Sequence, residues 1–120
     1  MILVDTSVWI SHLREGISEL KRLLNDGDVV CHPFIIGELA CGNIQNRTEI
    51  LSLFQSLPMT KKANHEEILG FIEAKELMGK GLGYIDVHLL ASALLSNAAI
   101  WSFDNKLTQI SSELNINYKK

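Results

Sequence analysis

Apolar residues along the chain fall into two kinds of run, short unbroken ones and longer periodic ones. Ile2-Leu3-Val4 is a short run that stops at Asp5-Thr6-Ser7, which reads as a buried strand feeding a helix cap. Helical spacing follows through Val8, Ile10 and Leu13. After Gly16 it resumes through Ile17, Leu20, Leu23 and Leu24, stopping at Asn25-Asp26-Gly27. Val29-Val30-Cys31 predicts a second strand. Pro33 suits the first turn of a helix running through Glu38 to Cys41, closed by Gly42-Asn43.

Helices are predicted over Glu49 to Leu57, ended by Pro58, and from His65 to Met78, capped by Asn64. Gly79 to Gly83 is a flexible connector without the spacing of a phosphate-binding loop. Tyr84 to Leu95 is apolar nearly all round and reads as a buried helix. Ala99-Ile100-Trp101 is a third strand, followed by a helix through Leu107, Ile110 and Leu114. Asn115 to Tyr118 is a candidate edge strand, and the Lys119-Lys120 end is expected to fray. Uninterrupted apolar strands alternating with helices predict an α/β fold, a parallel sheet covered by helices on both faces. No repeat, low-complexity segment or linker divides residues 1–120, so a single domain is expected.

Composition narrows this only slightly. The chain is 47% hydrophobic and 21% charged, enough to build a core. With 11 Lys+Arg against 14 Asp+Glu, its formal charge of -3 does not resemble the basic surface of most nucleic-acid binders. Setting aside Asp5, Glu38, Asp86 and Asp104 leaves 10 acids against 11 bases, a nearly neutral remainder. Cys31 and Cys41 each lie in an apolar stretch without a CxxC pair and are read as buried free thiols of a reducing cytosol. The opening MILVDTSVWI carries no basic leader, and Asp86 and His88 interrupt the most apolar later stretch. A cytoplasmic protein without a membrane span is therefore expected.

The four acids each have an ordinary role. Asp5 and Asp104 follow strands and precede helices, as N-caps do. Asp86 lies in the first turn of its helix, where negative charge suits the dipole. Glu38 fits a solvated face. Yet Glu38 has Phe34, Ile35, Cys41 and Gly42 as its helical neighbours, and no Lys or Arg occurs in the helix of Asp86. Carboxylates beside apolar surface become reasonable if a cation compensates them.

In an open parallel sheet the carboxyl ends of the strands form the ligand crevice, where all four acids can meet. Oxygen ligands without a Cys or His pattern favour Mg²⁺ or Mn²⁺ over zinc. Such a site suits phosphodiester hydrolysis by a metal-activated water. The hydroxyls of Thr6, Ser7 and Ser102 stand beside the acids as supporting groups, although helix capping also accounts for Thr6 and Ser7. His12, His32, His65 and His88 show no zinc spacing. His88 reads as a hydrogen-bonded structural residue, Trp9 and Trp101 as core, and Lys61, Lys62 and Lys80 as solvated charges.

The segments Val4-Asp5-Thr6-Ser7-Val8-Trp9, Ile36-Gly37-Glu38-Leu39, Ile85-Asp86-Val87-His88-Leu89-Leu90-Ala91 and Ile100-Trp101-Ser102-Phe103-Asp104 together resemble the four motifs of the PIN domain. The resemblance is closest to the VapC-type toxins of type II toxin–antitoxin systems, and it covers nearly the whole chain in order and spacing. It implies a Rossmann-like, three-layer PIN fold and Mg²⁺- or Mn²⁺-dependent endoribonuclease activity on RNA. It also implies neutralisation by a VapB-like antitoxin and a homodimer, joined with antitoxin in a larger complex on operator DNA through the antitoxin's own DNA-binding domain.

Residue by residue, the resemblance makes Asp5, Glu38, Asp86 and Asp104 the catalytic quartet, with Asp5 and Asp86 the most direct metal ligands. Ser102 stands where the family often has Thr. Two alternatives remain: a non-catalytic RNA- or partner-binding module of the same fold, and a phosphatase using Asp5 as nucleophile. The phosphatases of that kind pair the nucleophile with an acid two residues on, where this chain has Ser7.

Overall fold

The computed structural model describes residues 1–119; Lys120, in the terminal pair expected to fray, lies outside the described residues. Strands β1 (Ile2–Val4), β2 (Val29–Val30) and β3 (Ala99–Trp101) form a parallel sheet in the order β2-β1-β3. Ile2 pairs with Val29 on one side and with Ala99 on the other. Seven helices among the described residues flank the sheet: α1 (Thr6–Glu15), α2 (Ser18–Asn25), α3 (Pro33–Ala40), α4 (Arg47–Gln55), α5 (His65–Lys75), α6 (Tyr84–Leu95) and α7 (Asn105–Glu113). The crossover from β1 leads to one neighbour and the crossover from β2 returns past β1 to the other. With right-handed connections, that reversal puts helices on both faces and opens a crevice at the carboxyl ends of β1 and β3.

The core follows the predicted runs. Leu3, Val4, Ile100, Leu20, Ile35, Ile68 and Leu107 are fully buried, and α6 buries seven consecutive residues from Val87 to Ala93. Trp9 and Trp101 are core residues, as expected.

The sheet is wider than its three strands. Cys31 bridges Met59 in parallel, with Cys31 donating its N–H to Pro58 and accepting from Thr60. On the far side Ile100 bridges Asn117, where the edge strand was expected.

Several boundaries differ from expectation. Helix α4 begins at Arg47 rather than Glu49, behind a left-handed Asn46. Helix α5 ends at Lys75 rather than Met78. Glu76 turns left-handed at φ 53°, and Leu77 folds back to donate to the Ile72 carbonyl, burying its side chain and leaving Met78 exposed. Cys31 is a buried free thiol as expected, but Cys41 is exposed. It caps the end of α3, where the chain leaves the core for the Gly42–Asn46 loop.

Candidate active site

Asp5 ends β1 and caps α1. The strand buries it to 7% exposure and the cap fixes its rotamer. Its Oδ2 accepts from the Ser7 amide at 3.4 Å, the Ser7 hydroxyl at 2.7 Å and the Ser102 hydroxyl at 2.8 Å. Both hydroxyls in turn accept backbone donors. Ser102 Oγ takes the Asp104 N–H at 3.0 Å and Ser7 Oγ takes the Phe103 N–H at 3.0 Å. The ends of β1 and β3 are therefore locked together, with Asp104 held next to Asp5 through Ser102. Asp104 caps α7 through Oδ2 to the Leu107 N–H at 2.8 Å. The capping readings of Asp5 and Asp104 are thus correct, and capping does not exhaust either carboxylate.

Across the crevice, Glu38 is exposed on α3, yet it has the partner its own helix lacks. Thr6, the first residue of α1, donates to Oε1 at 2.7 Å. Thr6 therefore supports a carboxylate, and that pairing between elements is invisible in the helical neighbours of Glu38. Asp86 is the third residue of α6, half-buried, and accepts the Gly83 N–H on Oδ2 at 3.2 Å.

Burial pushes the Asp86 carboxyl above its ordinary value. The Gly83 hydrogen bond opposes this, and the negative charges of Asp5, Asp104 and Glu38 all push it further up. Asp86 thus lies within electrostatic reach of the other three acids.

Each carboxylate also divides its oxygens in the same way. Among the described residues, the protein's hydrogen bonds reach one oxygen of Asp5, Glu38, Asp86 and Asp104 and leave the other free. Four free carboxylate oxygens around one crevice are the donor set a hard divalent cation takes. They are not drawn into a closed cage. Among the described residues no three His, Cys, Asp or Glu side chains close into a metal-ligand set.

One flank of this crevice was not legible in the sequence. His88 is 5% exposed, as a structural histidine should be, but among the described residues neither ring nitrogen has a hydrogen-bond partner, contrary to expectation. His32 is 1% exposed and caps α3, accepting the Phe34 N–H on Nδ1 at 2.9 Å. Its Nε2 has no partner. Burial lowers the pKa of both rings, that of His32 to about 4, with the charges of His88 and Lys62 adding to the effect on His32.

A PIN-domain family model matches residues 2–113 of the chain. Ribonuclease VapC32 of Mycobacterium tuberculosis, in strains CDC 1551 / Oshkosh and ATCC 25618 / H37Rv, is 44% identical over 108 residues. The match spans 89% of this chain and 87% of that protein. The crystal structure of PAE2754 from Pyrobaculum aerophilum superposes with a TM-score of 0.60, covering 90% of this chain and 77% of that one. At 15% identity, that likeness concerns the fold alone.

Proposed function

The chain belongs to the PIN-domain family, among its VapC-type ribonucleases, and from that premise we propose that it is a metal-dependent endoribonuclease toxin acting at the Asp5–Glu38–Asp86–Asp104 crevice. The observation that carries this reading is geometric: among the described residues Asp5, Glu38, Asp86 and Asp104 are each hydrogen-bonded through one oxygen and keep the other free, with Asp104 held next to Asp5 through Ser102.

Asp5 and Asp86 would hold a Mg²⁺ or Mn²⁺ ion, with Glu38 and Asp104 completing its surroundings directly or through water. The ion would supply positive charge to the phosphoryl oxygens and acidify a water. The chain's own contribution is orientation. Ser7 and Ser102 fix Asp5 by its Oδ2, and Ser102 also holds the Asp104 backbone. Thr6 fixes Glu38, and the Gly83 amide fixes Asp86 at the α6 N-terminus, where the helix dipole favours a carboxylate. Every acid is thus held before substrate arrives, the condition under which electrostatic stabilisation needs no reorganisation.

The proposal extends to partners. A groove of about 610 Å³ includes Glu38 in its lining and mixes the apolar Ile10, Leu13, Leu39, Ile44 and Ile50 with Arg14, Asn43, Gln45 and Asn46. It supports a VapB-like antitoxin that lays an apolar segment along α1 and α3 and closes the acidic crevice. A homodimer, a larger complex on operator DNA through the antitoxin, and a cytoplasmic location complete the reading. Among the described residues no helix is long and apolar enough to cross a membrane.

The test is cleavage of cellular RNA by the purified protein. EDTA is expected to stop it and Mg²⁺ or Mn²⁺ to restore it. Asp5→Asn, folded by circular dichroism, is expected to lose about a thousandfold in rate, equivalent to several kcal/mol of charge stabilisation. Cleavage by Asp5→Asn in EDTA at the wild-type rate would sink the proposal.

A further inference from the structure

The proposed ribonuclease site has a neighbour built from different chemistry. Phe34, on the face of α3 one turn before Glu38, is 37% exposed, and Tyr84, the first residue of α6, is 46% exposed. Both rings meet the buried His88 edge to face, with centroids at 4.7 Å and 4.6 Å. His32 packs against Phe34 at 5.0 Å, and His65 hydrogen-bonds the Tyr84 hydroxyl at 2.7 Å. Two exposed rings therefore bracket an imidazole whose two nitrogens have no partner, with the unpartnered Nε2 of His32 behind it.

We propose that Phe34 and Tyr84 form a subsite for an unpaired nucleobase of the RNA being cut, one that stacks on the exposed rings. This deepens the ribonuclease reading and rests on it for the identity of the polymer.

Two features favour a base over other occupants. Aromatic faces accept any base by stacking, and unpaired RNA is the form in which bases are available for it. The patch also adjoins the acids along α3, where Phe34 lies one turn before Glu38 on the same face. Tyr84 and Asp86 point to different sides of α6, whose diameter with side chains is about 10 Å. The subsite therefore reads a nucleotide flanking the cut phosphate, and by doing so restricts cleavage to single-stranded or looped RNA.

The test uses an unstructured oligoribonucleotide carrying one 2-aminopurine, moved along the sequence position by position. It is titrated with the full chain in EDTA while the quenching that reports stacking is read. Wild type and Tyr84→Phe are expected to quench one position strongly. Tyr84→Ala and Phe34→Ala, each verified as folded by its melting curve, are expected to bind that RNA about tenfold more weakly and to lose the quench. Equal quenching and affinity in wild type and both alanine variants would overturn the subsite. So would a changed oligomeric state in the alanine variants, by light scattering, with quenching intact, which would make the patch a contact between copies.

Cleavage of the same RNAs separates the two readings. Loss of quench in Tyr84→Ala without any Asp5-dependent cleavage keeps the base subsite and removes the nuclease. Asp5-dependent cleavage with unchanged quench does the reverse.

Discussion

The two flanks of the crevice are satisfied to very different degrees. Where β1 meets β3, the buried Asp5 takes three donors on one oxygen, and both serine hydroxyls that serve it accept backbone donors of their own. Where α3 meets α6, His32 and His88 are buried just as deeply, yet three of their four ring nitrogens have no partner among the described residues. The first flank is closed: its hydrogen bonds join neighbouring strand ends and hold an acid in one orientation. The second is held by ring packing instead: Phe34 and Tyr84 meet His88 edge to face and keep part of their own faces exposed. Positioning and recognition are thus divided between the two, and perturbing each tests whether that division holds.

The largest expected effect is on the α3–α6 flank. His32 is buried with a pKa pushed down from 6.5 to about 4, chiefly by burial. Below pH 6.5 the unfolded chain takes up this proton and the folded chain does not. The stability His32 supports is therefore complete above pH 6.5 and drains away as pH falls towards 4, by at most about 3 kcal/mol. His88 is lowered too and adds in the same direction. Asp86, whose pKa is raised, works oppositely, since the folded state takes its proton first and gains stability as pH falls through the carboxylate range.

Urea unfolding between pH 7.5 and 4.5, wild type against His32→Asn, checks this. Asn keeps an N-cap acceptor for the Phe34 amide but cannot charge, so most of the acid loss is expected to vanish. An unchanged pH slope would show that His32 finds solvent or a partner on folding, and that the flank is as satisfied as its counterpart.

The closed flank answers to Ser102. Ser102→Ala removes a donor from the Asp5 carboxylate and the acceptor of the Asp104 N–H at once. A loss of about 2 kcal/mol in stability is expected, with cleavage about tenfold slower because both acids lose orientation. Ser102→Thr keeps the hydroxyl and is expected to stay within about twofold of wild type. If Ala and Thr behave alike in chemical denaturation and in cleavage, the serine is packing and the comparison between the flanks collapses.

Legibility in the sequence follows the range of the interaction. Asp5, Asp86 and Asp104 are readable because an apolar run ending in an acid, or an acid in a first helical turn, is a local pattern with a local cause. The parallel sheet is readable for the same reason, through its unbroken strands. The partner of Glu38 is not, because Thr6 comes from another helix and no neighbour along α3 announces it. Pairing of Cys31 with Met59 escapes because two residues beside a proline make no strand pattern of their own. Helix α5 ends early at a glutamate in the left-handed region, a conformation that composition does not foretell. The recognition patch is the least visible: Phe34, His65, Tyr84 and His88 meet only once α3, α5 and α6 are packed, and their sequence spacing has no motif.

The smallest effect concerns the loop that leads into α6. Gly79 and Gly81 both have positive φ, at 72° and 79°, so alanine at either is strained by about 1 kcal/mol. Their surroundings differ. Nothing lies within 4 Å of a Cβ at Gly79, whereas one at Gly81 would meet Lys106 Nζ at 2.7 Å and Cδ at 2.8 Å. Lys106 is a flexible side chain that swings aside at little cost, so thermal melting is expected to give Gly79→Ala and Gly81→Ala nearly equal losses of stability. Cleavage is expected to separate them. Lys106 follows Asp104 by two residues, and Gly81 precedes by two the Gly83 amide that holds Asp86. Displacing this lysine therefore moves a positive charge beside the loop into α6, while Gly79→Ala does not. A fall of about threefold in cleavage for Gly81→Ala alone, screened out by salt, would place a phosphate-facing cation between the two flanks. Equal cleavage by the two variants would leave the acids and the aromatic patch as the site's whole working surface.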